Sequence, residues 1–285
     1  MRLAVLADIH GNLPALEAVL ADLQQFPVHG ILVAGDMVAG PNPVEVMQRL
    51  QQLNCWMVRG NNENYLLRFD SGDAPECWYT SRQWAFIRWN YEQTDKDTLE
   101  TIRALPEQRV ISLPGKDPIR VVHGSPRDSN EHLYPAYDDS LLKIALEDTS
   151  EPVLVCGHTH IPWQERRDGC LIFNPGAVSF PLNGEKGAQY VILDWQDGKW
   201  EVEFRSVDYE LDLVQKAFAK SGLLKHGGAF TRCYLLDILH GTDITRKFLN
   251  HAYHMAAVAG YPDCEYVPNE VWDGAVETFD WEAKN

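Results

Sequence analysis

The sequence has no pair of cysteines at C-x-x-C spacing. Its six cysteines, Cys55, Cys77, Cys156, Cys170, Cys233 and Cys264, are dispersed along the chain. This argues against a disulfide framework and reads as buried thiols in a reducing compartment. No apolar run is long enough to cross a bilayer. The opening MRLAVLADIHGN carries one basic residue, and its short apolar run stops at Asp8 and His10. That is not a secretory-signal pattern, so a cytoplasmic protein with no membrane partner is expected. Positive charge is also scarce: 25 Lys and Arg stand against 41 Asp and Glu, a formal net charge of −16. The basic residues are scattered singly or in pairs such as Arg166-Arg167, with no patch to hold a phosphate backbone. Nucleic acid is therefore not an expected partner. Internal repeats and low-complexity segments are missing too.

What is present is a globular composition, 45% hydrophobic and 23% charged, over 285 residues. That length suits one large domain with an appendage, or two domains. RLAVLAD, GILVAGD and NCWMVRG are apolar runs of strand length. Between them, Leu13 to Gln24 and PVEVMQRLQQL read as helices, the first with Asn12 as a plausible cap and Pro14 near its start. Strand, helix, strand, helix, strand predicts parallel pairing with right-handed crossovers. Residues 63–104 are helical in character and rich in aromatics, among them Trp84, Phe86, Trp89 and Tyr91, which read better as core than as a base-stacking surface. The next stretch is largely strands: QRVISL, IRVVHG, PVLVCGH, CLIFNPG, AQYVILDW and KWEVEFRSV. An Asp-Gly turn at Asp197-Gly198 joins the last two. From Asp208 the pattern is helical again. Ile244, Phe248, Ala252, Met255 and Ala259 mark one helical stripe, and Val271, Trp272, Ala275, Val276 and Phe279 another.

The chemistry sits at strand ends. In chain order these carry Asp8 and His10, Asp36, Asn61, His123, and His158 with His160. In a parallel sheet such ends lie along one edge, where ligands bind. The set mixes carboxylate, imidazole and amide oxygen, which suits Mn²⁺, Fe or Zn²⁺ better than Ca²⁺ or a thiolate site. On an extended segment, Asp-x-His and His-x-His would turn both members toward one site. Any one of these residues has a plainer reading: an Asp at a strand end is often a helix cap, and a lone His is often structural. Five successive strand ends supplying metal-ligand types is the informative fact.

In order, these motifs are Asp8-Ile9-His10, GDMVAG from Gly35, GNNE from Gly60, HGSP from His123 and GHTH from Gly157, followed by NPGAVSFP. Over residues 1–207 the chain resembles the calcineurin-like metallophosphoesterase superfamily, in its small bacterial and archaeal phosphodiesterase branch. The resemblance implies an α/β fold: a four-layer αββα sandwich of two mixed sheets flanked by helices. Residues 1–207 would form the catalytic domain. Residues 208–285 would form a helical extension packed on it as a lid, an edge cover or a dimer contact. Asp8, His10 and His160 would hold one divalent metal, and Asn61, His123 and His158 a second, with Asp36 bridging. The metals would be Mn²⁺ or Fe, with Zn²⁺, Ni²⁺ or Co²⁺ as alternatives. A hydroxide shared by two cations about 3.5–4 Å apart would attack phosphorus in line. Asn12 and Arg59, beside the metal loops, are candidate phosphate contacts; their alternative readings are a helix cap and an ion-pair residue.

The sequence departs from the family at Asn62, where much of the family has a histidine assigned as proton donor to the leaving group. An amide hydrogen-bonds but cannot supply a proton. Glu63 matches an acidic position that orients its neighbours. The expectation is a hydrolase of phosphodiesters or phosphoanhydrides with good leaving groups. Its partner is a small phosphorylated substrate, nucleotides such as dinucleoside polyphosphates included, and a homodimer is an allowed assembly. His132 is an alternative proton source. Rival functions are a non-catalytic scaffold on the same fold and a phosphomonoesterase.

Overall fold

The computed structural model describes residues 1–134, 139–147 and 149–282. The first part alternates strand and helix: β1 (Arg2–Leu6), α1 (Leu13–Leu23), β2 (Ile31–Ala34), α2 (Pro43–Gln51) and β3 (Cys55–Val58). Four helices follow: α3 (Asn61–Ser71), α4 (Glu76–Thr80), α5 (Ala85–Gln93) and α6 (Lys96–Ala104). The second part holds β4 (Arg109–Ile111), β5 (Ile119–Val121), α7 (Asp139–Glu147), β6 (Val153–Val155), β7 (Trp163–Arg167), β8 (Cys170–Asn174), β9 (Ala188–Gln196) and β10 (Lys199–Val207). The chain then becomes helical: α8 (Leu211–Ser221), α9 (Leu223–His226), α10 (Gly228–His240), α11 (Ile244–Val258) and α12 (Asn269–Thr278).

The strands make two five-stranded mixed sheets, ordered β10-β9-β1-β2-β3 and β4-β5-β6-β8-β7. In the first, β1 pairs parallel with β2, and β2 with β3, while β9 runs antiparallel to β1. In the second, β5, β6 and β8 are parallel, and β4 and β7 close the edges antiparallel. Alternation within a strand explains the layering. Leu3 and Val5 of β1 face the other sheet in a core shared with Val121, Val155 and Phe173. Ala4 and Leu6 face outward into a core shared with Leu16, Val19 and Leu66 of the helices. Both faces are covered, so a continuous apolar run is what β1 requires. On the far face of the second sheet, Leu142 of α7 packs with Leu154 and Ile172. The result is the expected four-layer αββα sandwich.

Two expectations are adjusted. The strand β7 was not anticipated: WQERR lacks an apolar alternation because it is an edge strand with Gln164 and Arg166 exposed on one face and Glu165 and Arg167 half-buried on the other, and such polar side chains also protect the edge from pairing. In α11 the buried stripe is Ile244, Phe248, Ala252 and Ala256, with Met255 half-buried and Ala259 exposed. The helix keeps a strict four-residue step against Trp272 and Phe279 instead of drifting to Met255. The helices after residue 208 share a core with the helices of the first part. Val214, Phe218, Leu223 and Ile238 belong to the same core as α1, α3 and α5. α11 and α12, with Val267 between them and Cys233 of α10, build a further core. Among the aromatics, Phe86 and Trp89 are buried, and Trp84 stacks on Trp78 at 3.6 Å between ring centroids.

Candidate metal centre

Parallel strands of both sheets end at one edge, and the polar residues after them converge there. Asp8 follows β1, Asp36 follows β2, Asn61 follows β3, His123 follows β5, and His158 and His160 follow β6. Two clusters result. Asp8, His10 and His160 bring their ligand atoms within 4.8 Å of one another, and so do Asp36, His123 and His158. Asp36 Oδ2 stands between the clusters, 3.6 Å from His10 Nε2 and 3.4 Å from His123 Nε2. Asn61 Oδ1 joins the second cluster, 2.9 Å from His123 Nε2.

The extended geometry expected for Asp-x-His and His-x-His does not hold. Asp8 (φ 55), His10 (φ 46), Asp36 (φ 52), His158 (φ 67) and His160 (φ 57) all lie in the left-handed region. Each such residue costs of order 1 kcal/mol. The side chains converge because the backbone curls at each strand end. Bonds between loops hold the curls: Asp8 N–H donates to Gly35 O at 3.1 Å, His10 N–H to Asp36 O at 2.9 Å, and Ser179 N–H to Asp8 O at 3.1 Å. Asn174, ending β8, donates to Gly157 O and Thr159 Oγ1, bracing the GHTH loop.

Glu63 is the main brace. Its carboxylate accepts the backbone N–H groups of Asp36 (2.9 Å), Met37 (2.8 Å), Val38 (3.0 Å) and Gly60 (2.7 Å). One side chain at the start of α3 thus shapes the loop that presents Asp36. Gly60 permits the approach: a Cβ there would overlap Asp36 Oδ1. Burial and the Asp36 charge push the Glu63 carboxyl up to about 7, and the N–H bonds, which only an anion accepts in full, oppose them.

The electrostatics call for positive charge. Burial alone would raise Asp8 and Asp36, yet the neighbouring imidazoles hold both below the usual carboxylate range. Burial opposes a cation at His123, but Asp36 and Asp8 outweigh it and push that imidazole up to about 10. His160 is raised against burial by Asp8. Burial leaves His10 lowered to about 4 and His158 to about 3. Without metal, a proton on His123 answers the two buried carboxylates; a bound cation would displace it.

The residues fit divalent ions on distance as well as type. Two ligand atoms about 2.1 Å from one ion lie roughly 3.0–3.4 Å apart at right-angled to tetrahedral angles. His10 Nε2 and His160 Nε2 are 3.2 Å apart, and His160 Nε2 and Asp8 Oδ1 3.4 Å. The rings are also held from behind: His123 Nδ1 meets Ala34 O at 2.7 Å and His160 Nδ1 meets Phe180 O at 3.0 Å. Such bonds fix the tautomer that offers Nε2 to a metal.

The remaining expected residues sort differently. Asn62 faces Asp36, its backbone N–H donating to Oδ1 at 3.0 Å and its side chain to Oδ2 at 2.5 Å. Asn12 is fully buried as the cap of α1: Oδ1 accepts Ala15 N–H, and Nδ2 donates to Ser179 and Tyr209. Arg59 turns to Arg103 O and Glu107 Oε1, both at 3.3 Å. Neither is among the residues lining the cavity over the candidate metal ligands; Asn12 caps α1 and Arg59 pairs with Glu107. His132 does line it, its ring 4.4 Å from that of His158. Sequence reasoning missed the wall supplied from afar by Tyr234, Asp237, Thr245 and Arg246. One local signal existed: Asp237 is a carboxylate inside the apolar run CYLLDILH, a placement that asks for a reason.

Comparison with known proteins agrees with this geometry. The family model described as the calcineurin-like phosphoesterase superfamily domain matches residues 1–198. An uncharacterised protein of Methanocaldococcus jannaschii is 30% identical over 237 residues, spanning 76% of this chain and 90% of the relative. Phosphodiesterase YfcE of Escherichia coli is 29% identical over 205 residues, spanning 68% of this chain and 88% of the relative. The crystal structure of a metallophosphoesterase from Sphaerobacter thermophilus matches with a TM-score of 0.69 and 28% identity, covering 85% of this chain and 99% of the other.

Proposed function

The chain belongs to the calcineurin-like phosphoesterase superfamily, in its small bacterial and archaeal branch, and is a metal-dependent phosphoesterase; on that premise we propose that it hydrolyses phosphodiesters or phosphoanhydrides whose leaving groups need no proton donor. The observation that carries this is Asn62. Two ligand clusters are complete around Asp36, while the position next to them holds an amide that only donates a hydrogen bond to that carboxylate.

In this reading Asp8, His10 and His160 hold one ion, Asn61, His123 and His158 hold another, and Asp36 lies between them. Mn²⁺ or Fe suits this mixed oxygen and imidazole set, and Zn²⁺, Ni²⁺ or Co²⁺ is admitted by the same donors. Two such ions supply an activated water at neutral pH and neutralise charge developing on phosphoryl oxygens. The chain's own contribution is placement. Glu63 fixes the Asp36 loop, Asn62 steadies the Asp36 anion, and Ala34 O and Phe180 O orient two imidazoles. Phe180 and Leu182 line the cavity and exclude water from one side of it. The substrate is a small phosphorylated molecule, and nucleotides such as dinucleoside polyphosphates meet the leaving-group requirement.

The experiment is elemental analysis of purified protein, followed by turnover of bis(p-nitrophenyl) phosphate with and without Mn²⁺. About two ions per chain and chelator-sensitive turnover are expected. Metal-loaded protein that leaves the diester intact would count for the scaffold reading instead.

A further inference from the structure

The cavity above the metal ligands, about 350 Å³, is large enough for a small substrate and little else. Its floor includes His10, Asp36, Asn61, His158 and His160. Another part of its lining comes from Tyr234, Asp237, Asp243, Thr245 and Arg246, all beyond residue 198 where the family model ends. Arg246 is the only lysine or arginine among the described residues that line it.

This wall is fixed to the metal loops. Gly241 (φ 67) packs against Glu185 so closely that a Cβ would overlap the Glu185 carbonyl, and Gly184 N–H donates to Gly241 O at 2.9 Å. Two residues before Gly184, Leu182 N–H donates to the carbonyl of His160 at 3.0 Å. On the other side of Gly241, Asp237 accepts Ile244 N–H and Thr245 Oγ1–H, both at 2.5 Å, and Asp243 Oδ1 accepts Arg246 N–H at 2.8 Å. The first turn of α11 is thereby held in register with the ligands. Arg246 Nε pairs with Asp243 Oδ2 at 3.0 Å, and the side chain remains 73% exposed.

We propose that Arg246 receives the second phosphoryl group of a pyrophosphate that joins two organic groups, which makes disubstituted phosphoanhydrides the substrate class of this site. The proposal rests on the phosphoesterase reading above. Two independent features meet in it. Guanidinium pairs with phosphate oxygens through two parallel N–H bonds, and this cavity is lined by such a group together with the candidate metal ligands. A phosphate monoester is also a leaving group weak enough in basicity to depart without an acid, which is what Asn62 requires. The step balances simply. Water oxygen bonds to the phosphorus at the metal ligands, and the anhydride P–O bond breaks with its electron pair on the phosphate at Arg246. The two protons of the water end one on each phosphomonoester product.

The test compares ADP-ribose, a disubstituted pyrophosphate, with bis(p-nitrophenyl) phosphate, which has no second phosphoryl group, in Mn²⁺-loaded full-length protein. In Arg246→Ala, the ratio of kcat/KM for ADP-ribose to that for the diester should fall by about 10-fold or more, mainly through KM, and Arg246→Lys should lie between. An unchanged ratio overturns the proposal, as does wild-type protein that cleaves the diester but not ADP-ribose. Metal-dependent cleavage of neither substrate overturns the phosphoesterase reading, and this proposal with it.

Discussion

The side-chain amide of Asn62 donates to Asp36 Oδ2 at 2.5 Å, on the carboxylate that stands between the two ligand clusters. A residue in that place borders the candidate metal centre, yet an amide has no proton to give near neutral pH. Turnover should therefore depend steeply on the leaving group, with aryl diesters far ahead of alkyl diesters. Asn62→His puts an acid at the same point and should raise kcat on alkyl diesters by up to about 10²-fold while changing aryl diesters much less. Steady-state rates across a leaving-group series check this. Equal wild-type rates on alkyl and aryl esters would sink it.

Glu63 carries a different burden, since its two oxygens accept four backbone N–H groups from two loops. Glutamine has the same shape, but its NH₂ end must face donors. Glu63→Gln should cost about 3 kcal/mol, because a buried donor left unpaired costs about 1–3 kcal/mol. Urea denaturation of the metal-free protein reads this directly. A stability change under about 0.5 kcal/mol would show that the loop does not depend on those bonds.

The ligand sets can be separated by metal counting. His160 belongs with Asp8 and His10, whereas His158 belongs with Asp36 and His123, although the two histidines are only two residues apart. His160→Ala and His158→Ala should each fall from about two ions per chain to about one by elemental analysis. Asp36→Asn, altering the residue between the sets, should lose both ions and at least about 10³-fold of the activity. Retention of two ions in either histidine variant would mean that the pairing of ligands is different.

Much of this centre was legible because its ligands follow apolar strands at once, and a strand end has few places to go. Asp8, Asp36 and His123 are found wherever a buried strand stops. The backbone curl was not legible: positive φ at Asp8, His10, Asp36, His158 and His160 is imposed by bonds between loops far apart in sequence. The contacts of Asn12 and Arg59 were not legible for a related reason, as position beside such a loop says nothing of where a side chain turns. Their partners Ser179, Tyr209, Arg103 and Glu107 are set by packing. The helical pattern after residue 208 was plain, but that Arg246 would line one cavity with His160 depends on contacts that no periodicity records.

Asp237 links that wall to pH. It is fully buried in α10, with both oxygens accepting bonds from the start of α11. Burial, with the nearby Asp243 charge adding to it, pushes its carboxyl up to about 7, and the bonds from Thr245 and Ile244 pull the other way. The sign follows from proton counting. Between pH 4 and 7, roughly, the folded chain holds a proton that the unfolded chain has released, so protons favour folding there. The contribution of this group is thus greatest in acid and is lost as pH rises through about 7, amounting to at most about 4 kcal/mol. Asp237→Asn keeps an acceptor for Ile244 N–H and offers an amide to the Thr245 hydroxyl, without a charge to bury. Its stability relative to wild type should therefore increase between pH 5.5 and pH 8, measured by urea denaturation at both values. A gap between the two proteins that stays constant over that range would place the ionised carboxylate comfortably within the fold and remove the pH link.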